Sequence, residues 1–205
     1  MNSVEHGIAR YVGEATLARL QGVRIGIAGA GGLGSNCAAC LVRCGFRRFT
    51  IADADAVEPS NLNRQFFFAH QVAMPKVAAL AENMAAINPD VEVELVEERI
   101  GRANARLYFG DCDAVVEAFD TPEDKAMLAQ ELLPHVELLV TVSGMAGYGN
   151  TDAIVCRTLR ANCIVVGDGL SDTDAGAQPF APGAAIASAK QADAVFAHFM
   201  RRFAA

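Results

Sequence analysis

The feature that most constrains the chain is the segment Gly29-Ala30-Gly31-Gly32-Leu33-Gly34, set directly behind the apolar run Arg24-Ile25-Gly26-Ile27-Ala28. That run has the length and character of a buried parallel strand. Residues 31–44 read as a helix closed by Gly45. Glycines between a strand and a helix let the backbone turn tightly and approach a phosphate, and the helix start adds unpaired N–H groups and the positive end of its dipole. The spacing is G-x-G-x-x-G, which points to an adenosine-containing ligand at a first strand–helix turn. Asp53 ends the second strand roughly 20 residues past Gly34, where an acid can bind a ribose hydroxyl. The pattern does not separate NAD, FAD and ATP, and a tight turn without a ligand is its plain alternative.

The rest of the chain alternates in the same way. Strands are expected at 47–52, 91–96, 112–118 and 138–142, and helices at 75–87, 102–109, 122–133 and 183–203. Two later strands, 154–158 and 163–166, read as antiparallel. The expected fold is α/β: a Rossmann-like doubly wound sheet, mostly parallel, with a few antiparallel strands in the C-terminal part. A single domain spans 1–205, with a helical extension (1–20), a nucleotide-binding core (21–142) and a C-terminal part (143–205). The Gly- and Asp-rich segments 145–150 and 167–181 suit a mobile lid.

Composition removes several function classes. Net charge is −7, against the basic footprint of a nucleic-acid binder. No apolar run is long enough to span a bilayer. The first residues carry Glu5, His6, Arg10 and Glu14 in place of the apolar stretch of a secretory signal, so a cytoplasmic location is expected. Of six cysteines, Cys37, Cys40 and Cys44 fall at helical spacing on one face. Their CxxC has no second pair to complete a zinc site. Reduced, buried thiols and no zinc are the expectation.

The loop behind Asp53 adds Asp55, Asn61, Arg64 and Gln65, more polar groups than a dehydrogenase needs. Lys76 follows Pro75 in the first turn of a helix, where a cation opposes the dipole. A bound polyanion reverses that balance, and Arg64 with Lys76 matches a triphosphate. A solvated lysine is the ordinary alternative. Asp120 closes the fourth strand at the edge where such sheets bind ligands. It suits Mg²⁺ held jointly with phosphate oxygens, and equally an N-cap for the helix opening at Thr121-Pro122.

Taken in order, GAGGLG, DAD, SNLNRQ, the PK pair and AFDT resemble the ThiF/MoeB/ubiquitin-activating superfamily over roughly residues 20–200. SGMAGYG and the GDG turn resemble its compact ThiF-type branch. The resemblance implies ATP- and Mg-dependent adenylylation of the Gly-Gly carboxylate of a ubiquitin-like, ThiS-like sulfur carrier in thiamine thiazole biosynthesis, by a homodimer. It places Gly29, Gly31, Gly32 and Gly34 at the phosphates and Asp53 at the ribose, with Asp55 and Gln65 in the same site. Asn61, Arg64 and Lys76 fall on the triphosphate, and Asp120 on the metal or the reacting groups; Arg64, Lys76 and Asp120 are the catalytic candidates. Two departures stand out. The paired zinc cysteines of some relatives are missing, and Gly13 occupies the place of an arginine that reaches a neighbouring site. The rival readings are an NAD-dependent oxidoreductase and a non-catalytic carrier-docking module. Within the enzyme class, a carboxylate on a modified tRNA base is a further possible substrate.

Overall fold

A computed structural model describes residues 1–144, 147–170 and 178–204. Two helices open the chain, α1 (Ser3–Val12) and α2 (Glu14–Gly22). Asn2 and Glu5 form a reciprocal capping box at the start of α1. Gly13 breaks the two helices apart at φ +83°, a left-handed angle that an arginine would adopt only under strain.

The core then follows as β1 (Arg24–Ala28), α3 (Gly34–Arg43), β2 (Arg48–Ala52), α4 (Lys76–Ile87), β3 (Glu92–Val96), α5 (Ala105–Phe109), β4 (Ala114–Glu117), α6 (Pro122–Leu132), β5 (Leu138–Val142), β6 (Val155–Arg160), β7 (Cys163–Gly167) and α7 (Ala181–Ala204). The strands form one seven-stranded sheet in the order β3-β2-β1-β4-β5-β7-β6. All neighbours are parallel except β6 and β7. The sheet is the expected doubly wound one, with its antiparallel pair in the C-terminal part.

Alternate residues of the central strands point to opposite faces and feed two cores. Ile25, Ile27, Phe49, Ile51, Val116 and Val140 pack against α3, α4 and α7. Ala28, Val115 and Leu139 pack against Phe109 of α5 and Leu128 and Leu132 of α6. Phe46 meets Phe196 and Phe199 of α7 edge-on, with centroids at 6.5 and 5.9 Å. Such pairs add about 0.5–1.5 kcal/mol beyond burial.

Several expectations shift. α3 starts at Gly34, because 31–33 form the turn itself. The loop 53–67 contains a 3-10 turn, Pro59–Asn63. The helix expected at 102–109 is confined to Ala105–Phe109. Cys37 is buried while Cys40 and Cys44 are half-buried, but Cys156 is exposed, against expectation. It lies on β6, an edge strand whose six residues are all exposed. Of the segments read as a lid, Met145, Ala146 and 171–177 lie outside the described residues. No described helix is long and apolar enough to cross a membrane.

Candidate nucleotide site

β1 lies between β2 and β4, where successive connections depart in opposite directions, and open α/β sheets bind ligands at the C-terminal strand ends of such a switch point. The glycine turn sits there. Gly29 has φ +99°, and a Cβ on it would lie 2.7 Å from the Ala118 carbonyl oxygen. A Cβ on Gly34 would collide with the Gly29 carbonyl oxygen, so the start of α3 can close onto the strand only with glycine there. Gly31 differs: the nearest atom to its ideal Cβ is Gln65 Nε2 at 4.0 Å. Gly32 lies under the Arg64 stem, with Cγ at 3.4 Å from its ideal Cβ. Ser35 hydroxyl donates to Gly31 oxygen (2.6 Å) and accepts from Phe66 N–H (3.0 Å). Asn36 donates to both Gly32 and Arg64 oxygens (2.7 and 2.9 Å), tying the turn to the 64–66 loop.

Asp53 accepts from the N–H groups of Ala30 (2.7 Å) and Asp55 (2.9 Å). Burial pushes its carboxyl above the usual range, opposed by those two bonds and by Lys76. Lys76 reaches it through an antiparallel clip. Val57 N–H bonds Met74 oxygen, Ala73 N–H bonds Val57 oxygen, and Lys76 N–H bonds Asp55 oxygen. Pro75 is the N-cap of α4 rather than a residue of its first turn. Lys76 is 7% exposed, with Nζ 2.7 Å from Asp55 Oδ2 and 3.8 Å from Asp53 Oδ1. Lys76 is therefore not the solvated lysine of the ordinary alternative, and two carboxylates of the protein already face the cation that a polyanion was expected to offset.

Arg64 is half-exposed and donates to neutral acceptors, Asn63 Oδ1 (2.9 Å) and Ser60 oxygen (3.3 Å). Asn61 is buried and its side chain accepts from Glu58 N–H (3.0 Å), which fixes the 3-10 turn. Gln65 is 9% exposed, and its Oε1 is buried without a hydrogen-bond partner. An unpaired buried oxygen costs about 1–3 kcal/mol unless a donor arrives. Asp120 is exposed at the end of the link behind β4. It is not the cap of α6; Thr121 is, its hydroxyl accepting from Asp124 N–H.

Other polar residues of the site were not singled out from the sequence. Gln71 and Asn83, both buried, bond each other and hold Phe66 oxygen and Phe68 N–H, clamping the Arg64 loop onto α4. Glu117, fully buried, accepts from Thr141, Phe119 N–H and Lys125. A glutamate inside the apolar run 112–118 was the available signal. Among the described residues no group of three or more His, Cys, Asp or Glu is arranged to hold a metal. Asp120 and Asp55 are exposed carboxylates at the C-terminal ends of the strands, and a Mg²⁺ arriving on phosphate oxygens needs only one or two protein carboxylates.

Comparison with known proteins bears on the family and the fold. The chain is 37% identical over 116 residues to the SAMP-activating enzyme E1 of Haloferax volcanii, covering 56% of this chain and 43% of that protein. It is 45% identical over 76 residues to ubiquitin-like modifier-activating enzyme 5 of Drosophila sechellia, covering 37% and 19%. The match thus spans less than half the length of these relatives. Among solved structures, the E. coli tRNA N6-threonylcarbamoyladenosine dehydratase TcdA in complex with AMP superposes with a TM-score of 0.87 at 23% identity, covering 98% of this chain and 95% of that one. E. coli MccB with ATP gives 0.71 at 18%, covering 91% and 59%. The ThiF family profile matches residues 5–197, nearly the whole chain, and the protein belongs to the ThiF family.

Proposed function

We propose that the protein uses ATP to adenylylate the C-terminal Gly-Gly carboxylate of a ubiquitin-like, ThiS-like sulfur carrier, releasing pyrophosphate, in thiamine thiazole biosynthesis. The observation that carries this is the glycine turn. It has an open face at Gly31, the start of α3 behind it, and the unpartnered Gln65 Oε1 beside it. A nucleotide supplies both an anion for the helix start and hydrogen-bond donors for the buried oxygen. The identity to two activating enzymes of ubiquitin-like modifiers supports a protein carboxylate as acceptor.

The chemistry suits these residues. The acceptor carboxylate is already ionised, so no general base is needed, and catalysis is positioning and charge neutralisation. One carboxylate oxygen bonds the α-phosphorus, the bond to the bridging oxygen breaks, and pyrophosphate departs with the electron pair. Asp53 keeps lone pairs free for the ribose hydroxyls, because a carboxylate accepts about four hydrogen bonds. Arg64 meets the phosphates through its planar fork. Lys76 joins them when the exposed Asp55 gives way, and Asn61 and Gln65 line the same wall. Asp120 would hold Mg²⁺, which neutralises phosphate charge. The exposed β6 and the rest of 143–205 form the carrier-docking and dimer region in this reading.

ATP–pyrophosphate exchange with labelled pyrophosphate, with and without a Gly-Gly-terminated carrier, tests the proposal. Exchange that needs the carrier and that, in Arg64→Ala, requires at least tenfold more ATP is expected. No exchange with any carrier, together with stabilisation by NAD, would sink it in favour of an oxidoreductase. Absence of all nucleotide binding would point to a docking module, and exchange driven by tRNA would replace the acceptor. Sedimentation of the purified protein checks the homodimer.

A further inference from the structure

Glu117 is fully buried at the end of β4, and Lys125, eight residues on in α6, is 21% exposed at its side chain. Burying such a pair costs desolvation comparable to its attraction, and apolar residues of equal volume hold a fold as well. What distinguishes this pair is where its bonds end. Glu117 Oε1 accepts from Phe119 N–H at 2.6 Å, and Lys125 Nζ donates to Phe119 oxygen at 2.6 Å while sitting 3.1 Å from Glu117 Oε1. Both backbone polar groups of Phe119 are therefore anchored. Thr141 of β5 donates to the Glu117 carboxylate, and Gln191 of α7 donates to the Glu117 backbone oxygen at 3.0 Å. The next residue along the link is Asp120. The residue before Phe119 is Ala118, whose oxygen abuts Gly29 and whose N–H bonds Ala28 oxygen at 2.8 Å. One three-residue link thus touches the glycine turn at one end and presents Asp120 at the other.

We propose that Glu117 and Lys125 are positioning residues for adenylyl transfer, acting through the Phe119 backbone to set where Asp120 stands relative to the nucleotide held at the glycine turn. The assignment rests on the proposed function. A displacement of about 1 Å in such a group costs on the order of a hundredfold in rate.

The test uses the full chain and carrier-dependent exchange, with Lys125→Met alone, Glu117→Gln/Lys125→Met as an uncharged pair that keeps the buried volume, and each again in an Asp120→Ala background. Both changes should lower kcat at least tenfold and leave KM for ATP within about threefold. They should cause less than a twofold further loss once Asp120 is alanine, because the pair acts through that residue. Amide hydrogen exchange at Phe119 should rise in both. An equal fractional loss in the two backgrounds, a loss that follows the unfolded fraction, or unchanged Phe119 exchange would overturn the assignment. Wild-type protein with no exchange activity would sink the proposed function, and this assignment with it. Normal wild-type exchange unaffected by either change would sink this assignment alone.

Discussion

Lys76→Met separates the structural role of the lysine from its proposed catalytic one. The lysine side chain is 9% exposed and faces two unequal carboxylates. Asp55 is 71% exposed and regains water when the ammonium goes, so its share is about 0–1 kcal/mol. Asp53 is 12% exposed and stays buried without its counter-charge. Stripping one partner from a fully buried pair costs about 3–5 kcal/mol. Here the 3.8 Å separation and the two backbone donors that remain on Asp53 reduce that figure. Relief of an unfavourable cation at a helix start returns about 0.3–1 kcal/mol. The net expectation is a loss of about 1–3 kcal/mol at pH 7, or roughly 3–10 °C in Tm for a chain of this size. The pH dependence follows from burial having raised the Asp53 carboxyl. Its contribution to stability is complete below the unfolded value of about 3.9 and is lost as pH rises through the folded value, so neutral pH lies on the costly side. Removing Lys76 raises the folded value further, so the Tm deficit should be largest near neutrality and shrink on acidification. Thermal unfolding of the wild type, Lys76→Met and Lys76→Met/Asp53→Asn from pH 4 to 8 checks this. A deficit constant across that range, or a double variant no more stable than the single one, would refute the reasoning.

Two glycines three residues apart should respond oppositely to alanine. Gly31→Ala meets nothing closer than 4.0 Å and should hold stability within about 0.5 kcal/mol while weakening ATP binding at least tenfold, read by thermal unfolding and calorimetry. Gly34→Ala drives a methyl into the Gly29 carbonyl and should cost about 2 kcal/mol or more in urea unfolding. Asn83→Ala strips Gln71 and the Phe66 carbonyl of buried partners and should cost about 1–3 kcal/mol, with faster proteolysis in the 64–71 loop. Thr121→Ala removes the α6 cap and should cost about 1 kcal/mol, whereas Asp120→Ala should leave unfolding unchanged.

What the sequence made legible is what depends on neighbours in the chain. Strand runs, the glycine turn and the break at Gly45 are local patterns, and the parallel sheet follows from their alternation. The partners of Lys76 were hidden because Asp55 lies 21 positions away and arrives through the clip. That clip turns at Ala73, which takes φ +73° with no glycine to announce it. Glu117 was visible inside an apolar run, but its role was hidden because periodicity cannot say that Lys125 will come round from the next helix. Cys156 was misjudged because an edge strand and a covered strand share one composition until the sheet order is known.

The electrostatics of the site divide its two cations. At net charge −7 the protein does not draw a polyanion from a distance, and beyond about 8 Å salt screens the repulsion in any case. Affinity has to come from contact. Lys76 is already engaged by Asp53 and Asp55, so a phosphate gains its charge only by displacing a carboxylate, and the displaceable one is the exposed Asp55. Arg64 bonds neutral acceptors, which a phosphate can replace without stranding a charge. Arg64 should therefore carry most of the ground-state binding, and Lys76 should matter most once the Asp55 bond has been exchanged. Arg64→Ala then appears chiefly in ATP affinity and Lys76→Met chiefly in stability and turnover. The reverse split in KM and kcat would mean that the Lys76–Asp55 bond stays closed throughout the reaction.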